Sequence, residues 1–125
     1  MLFDTDIFIF VQRGNEKAAR LIDKESERFL SIYTYMELLQ GAKDKRQHKY
    51  ILDFLKEFGF QTLPMTEDTG YRAAVYVEEY TLSGGLRAGD AIIAATAVEH
   101  ALTLCTSNQK HFKALKGLRL KIFEP

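Results

Sequence analysis

The chain has one cysteine, two prolines and no tryptophan among 125 residues, and its charges cancel. With Cys105 alone, no intrachain disulfide can form, which fits a reducing compartment. Cys105 lies in the apolar run Leu102-Thr103-Leu104-Cys105, so it reads as a buried, inert thiol. The scarcity of proline, with 46% hydrophobic and 27% charged residues, excludes a disordered or extended-linker protein. No apolar run reaches the roughly 18 residues that a membrane helix needs, and no basic-then-apolar leader is present. A soluble, cytoplasmic protein without membrane contact is expected. Seventeen basic residues face seventeen acidic ones, so attraction to a polyanion would have to come from a local patch. The one glycine-rich loop, Ser83 to Gly89, lacks the lysine and the spacing of a phosphate loop.

What is present reads as one α/β domain over residues 1–125, with a central, mostly parallel sheet of about five strands flanked by helices. The opening stretch Met1 to Phe10 predicts the first strand, with Ile7 to Val11 able to continue as a short helix. Asn15 predicts the cap of a helix over Glu16 to Lys24, with Ala18, Ala19, Leu21 and Ile22 inward. Phe29 to Tyr33 reads as a second strand, and Thr34 opens a helix that ends near Gly41. Asp44 to Phe58 carries a helical apolar stripe, and Phe60 to Leu63 is a short third strand. Thr66 caps a helix to about Leu82, with Tyr71, Ala74, Val75 and Val77 as inward candidates. A small-residue helix runs from Asp90 to His100. Leu102 to Thr106 and Leu118 to Phe123 complete the strands.

Acids at the ends of these elements call for a physical reason, because aspartate is a poor strand residue and an unpaired charge beside a core is costly. Asp4, Glu37 and the segment Thr106-Ser107-Asn108 follow predicted strands, and Asp90 opens a helix. In a parallel sheet these positions meet at the carboxyl edge. Converging carboxylates repel unless one protonates or a cation joins them, and hard oxygen donors select Mg²⁺ or Mn²⁺. Each acid also has a plainer role. Asp4 or Asp6 can cap the helix that follows, Asp90 can cap its own, and Thr34-Tyr35-Met36-Glu37 has the spacing of a capping box. The histidines carry less. His48 lies in a solvated run, His100 reads as a helix-end residue, and His111 is ambiguous. No serine has a visible triad partner.

Four segments together resemble PIN-domain ribonucleases, specifically the VapC-type toxins of toxin–antitoxin pairs. They are Leu2 to Asp6, Tyr35 to Ala42, Gly89 to Ala97 and Thr106 to Phe112, in the family's order and spacing. The resemblance implies metal-dependent hydrolysis of RNA, with Asp4, Glu37 and Asp90 as metal-binding and catalytic acids. It also turns Glu37 from a cap into a site residue. Asn108 and His111 stand where many members carry a fourth acid, so Asn108 joins the catalytic set, with Asp6 and Thr106 in support. Lys43, Arg46, Lys110 and His111 are the candidate phosphate contacts. The family further implies an RNA substrate (tRNA among the candidates), a cognate antitoxin and a homodimer. Surplus apolar surface on the helices around Tyr50 to Phe58 and Tyr71 to Tyr80 agrees with such interfaces.

Two other enzyme classes fit poorly. A dehalogenase-type phosphatase wants Thr or Val where Phe8 stands, and a receiver domain wants an acid after the third strand. The non-enzymatic alternative is a PIN-like domain that only binds RNA or protein.

Overall fold

A computed structural model describes all 125 residues. Five strands form one all-parallel sheet, in the order β3-β2-β1-β4-β5. The chain runs β1 (Leu2–Phe3), α1 (Thr5–Gln12), α2 (Glu16–Lys24), β2 (Phe29–Ser31), α3 (Ile32–Gln40), α4 (Lys45–Glu57) and β3 (Gln61–Leu63). It continues through α5 (Glu67–Gly84), α6 (Ala88–Glu99), β4 (Leu104–Thr106), α7 (Gln109–Phe112) and β5 (Leu120–Ile122). No helix is long and apolar enough to cross a membrane.

Alternation along β1 and β4 divides the core between the two faces of the sheet. Leu2 and Leu104 point to one side, where they meet α5, α6, Phe112 and Leu115. Phe3 and Cys105 point to the other, against α1, α2, α3 and α4. Phe3, Phe8, Phe54 and Phe60 build an edge-on aromatic cluster on that side. Cys105 is fully buried, and burial pushes its thiol up to about 12.

The strands are shorter than the sequence suggests, because side-chain caps turn the backbone into helices early. The Asp4 carboxylate accepts from the Thr5 amide and starts α1 directly after Phe3, so Met1 to Phe10 is mostly helix. Ser31, not Thr34, caps α3 by accepting from the Thr34 amide, and it draws Ile32 and Tyr33 out of β2. At the next helix start Arg87 occupies the cap position, so Asp90 sits in the first turn of α6 rather than capping it.

The expected inward faces need correction at two helices. Ala18 and Ile22 of α2 are buried, whereas Ala19 is exposed. On α5 the buried set is Thr69, Ala73 and Tyr76, while Tyr71, Ala74 and Val75 face solvent. Small residues at 69 and 73 let α5 close on the alanine helix α6, and the Tyr76 hydroxyl reaches the Lys116 carbonyl at 2.9 Å. Helix α6 is buried on nearly every side, from Ala91 through Ala97, between the sheet and α5. The four-residue helix α7 was not legible in the sequence.

Candidate active site

In a doubly wound sheet the crevice opens where the strand order reverses, here between β1 and β4 at their carboxyl ends. Asp4 follows β1, and Thr106 and Ser107 close β4. A cleft of about 340 Å³ gathers Asp4, Asp6, Glu37, Asp90 and Asn108, with Arg87 as the one cation in its wall. The positions singled out from sequence therefore meet in space.

Each acid is held by neighbours that define its orientation. Asp4 is 6% exposed, with one oxygen on the Thr5 amide at 2.7 Å and the other on the Thr106 hydroxyl at 2.7 Å. Burial is the main force raising its carboxyl to about 7. The charge of Asp6 adds to the rise and that of Asp90 adds less, while the Thr106 and Thr5 bonds oppose it. Asp6 accepts from the Ser107 amide at 3.0 Å and from the Ser107 hydroxyl, and its Oδ1 is buried with no hydrogen-bond partner.

Glu37 does not cap its own helix. Its Oε1 accepts from the Thr5 hydroxyl at 2.6 Å. The Thr5 hydroxyl also lies 3.0 Å from that of Thr34, which in turn accepts from Ser31 at 3.2 Å. Because a hydroxyl has one proton and the carboxylate can only accept, the order is fixed: Ser31 donates to Thr34, Thr34 to Thr5, and Thr5 to Glu37. Three hydroxyl dipoles thus point toward the Glu37 carboxylate, one polarising the next.

Asp90 Oδ2 accepts from the Arg87 amide at 3.4 Å and lies 3.1 Å from Nδ1 of His111. The Asn108 amide group sits 2.8 Å from that same nitrogen. The segment that lacks the fourth acid is therefore used to hold Asp90. Asn108 and Asp90 share the one His111 nitrogen, which accepts from the amide or donates to the carboxylate but not both, and Thr106 orients Asp4. Among the other cations, Lys43 lines a neighbouring groove, and Arg46 and Lys110 are exposed and line neither cavity. His100 is a hydrogen-bonded helix end, with Nδ1 2.9 Å from the Thr96 carbonyl.

Four residues in or beside the cleft have no role assigned from the sequence. Thr5 and Ser107 each neighbour a named position and supply the hydroxyl that an acid needs. Arg87 stands three residues before Asp90, one helical turn away on the same face. Tyr33 stands one turn before Glu37, and its ring lies against Gly89, where a Cβ would come within 2.5 Å of it. Burial, followed by the charges of Glu37 and Asp90, raises the Tyr33 phenol above its ordinary range, against the pull of Arg87.

The acids line one cleft without closing into a ready ligand cluster: no three His, Cys, Asp or Glu side chains stand close enough to grip an ion as they are. The donor set nevertheless suits a hard divalent cation. Four carboxylates face one guanidinium, Asp4 resists ionisation because it is buried and stands beside Asp6, and a buried Asp6 oxygen is unpaired.

Comparison with known proteins agrees with this geometry. The family model for the PIN domain matches residues 1–118. Ribonuclease VapC1 of Rickettsia felis is 28% identical over 127 residues, spanning 96% of this chain and 93% of that protein. A toxin–antitoxin complex from Klebsiella pneumoniae superposes with a TM-score of 0.80 at 32% identity, over 94% of this chain and 93% of that one. VapBC2 from Rickettsia felis, bound to a DNA fragment from its promoter, shares the fold with a TM-score of 0.78 at 22% identity, over 98% of both chains. With the family model covering nearly the whole length and the acids gathered at the switch point of a parallel sheet, the chain belongs to the PIN domain family.

Proposed function

We propose that this chain is a divalent-metal-dependent endoribonuclease and the toxin of a VapBC-type toxin–antitoxin pair, acting as one nuclease domain over residues 1–125 in the cytoplasm. The observation that carries the reading is the convergence of Asp4, Asp6, Glu37 and Asp90 in a single cleft, with the Asp4 carboxyl raised to about 7. Asp4, Glu37 and Asp90 would hold Mg²⁺ or Mn²⁺. When bound, such a cation lowers the pKa of a water and neutralises charge on the scissile phosphate.

The chain's own residues divide the remaining work. Thr106 fixes the Asp4 rotamer, and Asp6 ties the start of the β4–α7 turn to α1 through Ser107. Glu37 keeps one oxygen on Thr5, which leaves the other to join Asp4 and Asp90 on the cation or, in its place, to take a proton from an attacking water. His111, with its proton on Nδ1, donates to Asp90 and braces it, and Asn108 lines the cleft beside them. Arg87 stands in the wall as a charge for the phosphate. Among the more distant cations, Lys43, Arg46 and Lys110 are available to phosphates farther along the strand. The names of the relatives support a cognate antitoxin as partner. A homodimer and an RNA substrate, tRNA included, complete the proposal.

Cleavage of a labelled single-stranded RNA or a tRNA with Mg²⁺ or Mn²⁺, beside an EDTA control, tests it. Metal-dependent cleavage is expected. RNA that binds yet stays intact at every metal concentration would favour a binding module instead.

A further inference from the structure

We infer that the groove between α1, α3 and α4 is a nucleotide subsite, which seats the stretch of single-stranded RNA on one side of the scissile phosphate. This inference rests on the ribonuclease reading above and extends it from the reacting phosphate to the neighbouring base. The groove, of about 510 Å³, shares Ile9 and Glu37 with the acidic cleft, so the two cavities adjoin. Cavities of roughly 300–1,000 Å³ take small organic ligands, and a nucleotide falls within that range.

The lining has the two parts a nucleotide needs. Ile9, Leu38 and Ile51 give an apolar floor, and Tyr50 stands at the edge with 51% of its surface exposed. An exposed phenol ring beside an apolar floor suits stacking by any base, since every base has a π-face. Arg13 and Lys43 flank the same groove, and neither is in an ion pair. Most surface cations are unpaired as well, and what sets these two apart is their place beside an aromatic ring and next to the acid-lined cleft. Two cations and a ring side by side complement a phosphate backbone and its base. A polynucleotide crossing the acids must leave the cleft, and this groove adjoins it. Arg87, in the wall of the acidic cleft itself, is placed to hold the reacting phosphate before the strand turns into the groove.

The test compares Tyr50→Ala, Tyr50→Phe, the double variant Arg13→Ala/Lys43→Ala and the control Lys56→Ala, which removes a charge from the far end of α4. Steady-state cleavage of a single-stranded RNA oligomer with Mn²⁺ is measured for each. Anisotropy reads binding of the same RNA when each change is placed in an Asp4→Asn background. Stacking on one ring is worth enough to change affinity about tenfold. Tyr50→Ala and the double variant should each raise KM and the RNA dissociation constant by about that factor. Lys56→Ala should stay near wild type, and Tyr50→Phe, which keeps the ring, should recover most of what Tyr50→Ala loses. The salt dependence of binding should flatten in the double variant alone. Wild-type KM and binding in both Tyr50→Ala and the double variant, alongside active wild-type enzyme, would overturn the subsite and leave the ribonuclease reading standing. Loss of a co-purified protein partner with unchanged RNA binding would also overturn it, by giving the groove to a protein. An absence of cleavage by the wild type would count against the ribonuclease reading, and the anisotropy arm would still decide the subsite.

Discussion

Asp4 is held between the Thr5 amide and the Thr106 hydroxyl, at the end of β1 and out of water, beside the charge of Asp6. A carboxyl raised from 3.8 to about 7 binds its proton more tightly folded than unfolded. Stability therefore falls as pH rises between those two values and is lowest above the upper one. For the metal-free protein the difference between pH 5 and pH 8 is on the order of 3 kcal/mol, and chemical denaturation at those two pH values in EDTA measures it. Asp4→Asn keeps the acceptor for the Thr5 amide and removes the charge. It should flatten that pH profile, make the metal-free protein more stable at pH 8, and abolish RNA cleavage. A second residue-scale expectation concerns Arg28, whose guanidinium donates to Ile22, Asp23 and Phe58 carbonyls and lies over the Phe58 ring. Arg28→Ala should cost about 2 kcal/mol in urea unfolding, and Arg28→Lys should recover little of it, because an ammonium cannot span that fork.

At the scale of elements, the helix starts do most to place the site. Ser31 both caps α3 and begins the hydroxyl relay to Glu37 through Thr34 and Thr5. Thr34→Val keeps the shape and breaks the relay, so its effect should fall on kcat by about tenfold, with a loss of about 1 kcal/mol in stability. Gly89→Ala, at the start of α6, should leave stability within about 1 kcal/mol, since alanine favours the helix while its Cβ displaces Tyr33. The displaced ring should appear as a change in tyrosine fluorescence and reduced cleavage. The same elements show what was legible in the sequence. Asp4 and Asp90 could be read as site positions because each stands at the edge of an apolar segment, where an acid is conspicuous, whereas Glu37 read as a cap until the family resemblance made it a site residue. The partners of these acids could not be read. Threonine and serine are common everywhere, and that Thr5 faces Glu37 rather than solvent is decided by how α1 and α3 pack. The inward face of α5 was misread for a related reason. Its apolar residues lie all round the helix, and the smaller set Thr69, Ala73 and Tyr76 won because only it allows close approach to α6. Strand ends were misplaced wherever a capping side chain outcompeted the β-forming residues beyond it, as Ser31 does ahead of Ile32 and Tyr33.

For the molecule as a whole, the zero net charge means that affinity for RNA has to be local. If the strand follows the two adjoining cavities, Arg87, Arg13 and Lys43 would neutralise about three phosphates. The logarithmic salt slope of RNA binding should then be near −2, far shallower than that of a dedicated nucleic-acid-binding protein. The sheet order brings acids that are distant in sequence to one edge, and the cost of gathering them is visible in Asp4. That cost is what a divalent cation would relieve, with Asp4 as one of its ligands. The shift in Tm produced by Mn²⁺ on either side of about pH 7, for wild type and Asp4→Asn together, tests this most directly. Mn²⁺ should raise the Tm of the wild type at pH 8 and much less at pH 6, where Asp4 keeps its proton, and Asp4→Asn should show no rise at either pH. An equal rise in Asp4→Asn, or a wild type indifferent to Mn²⁺ at pH 8, would contradict it.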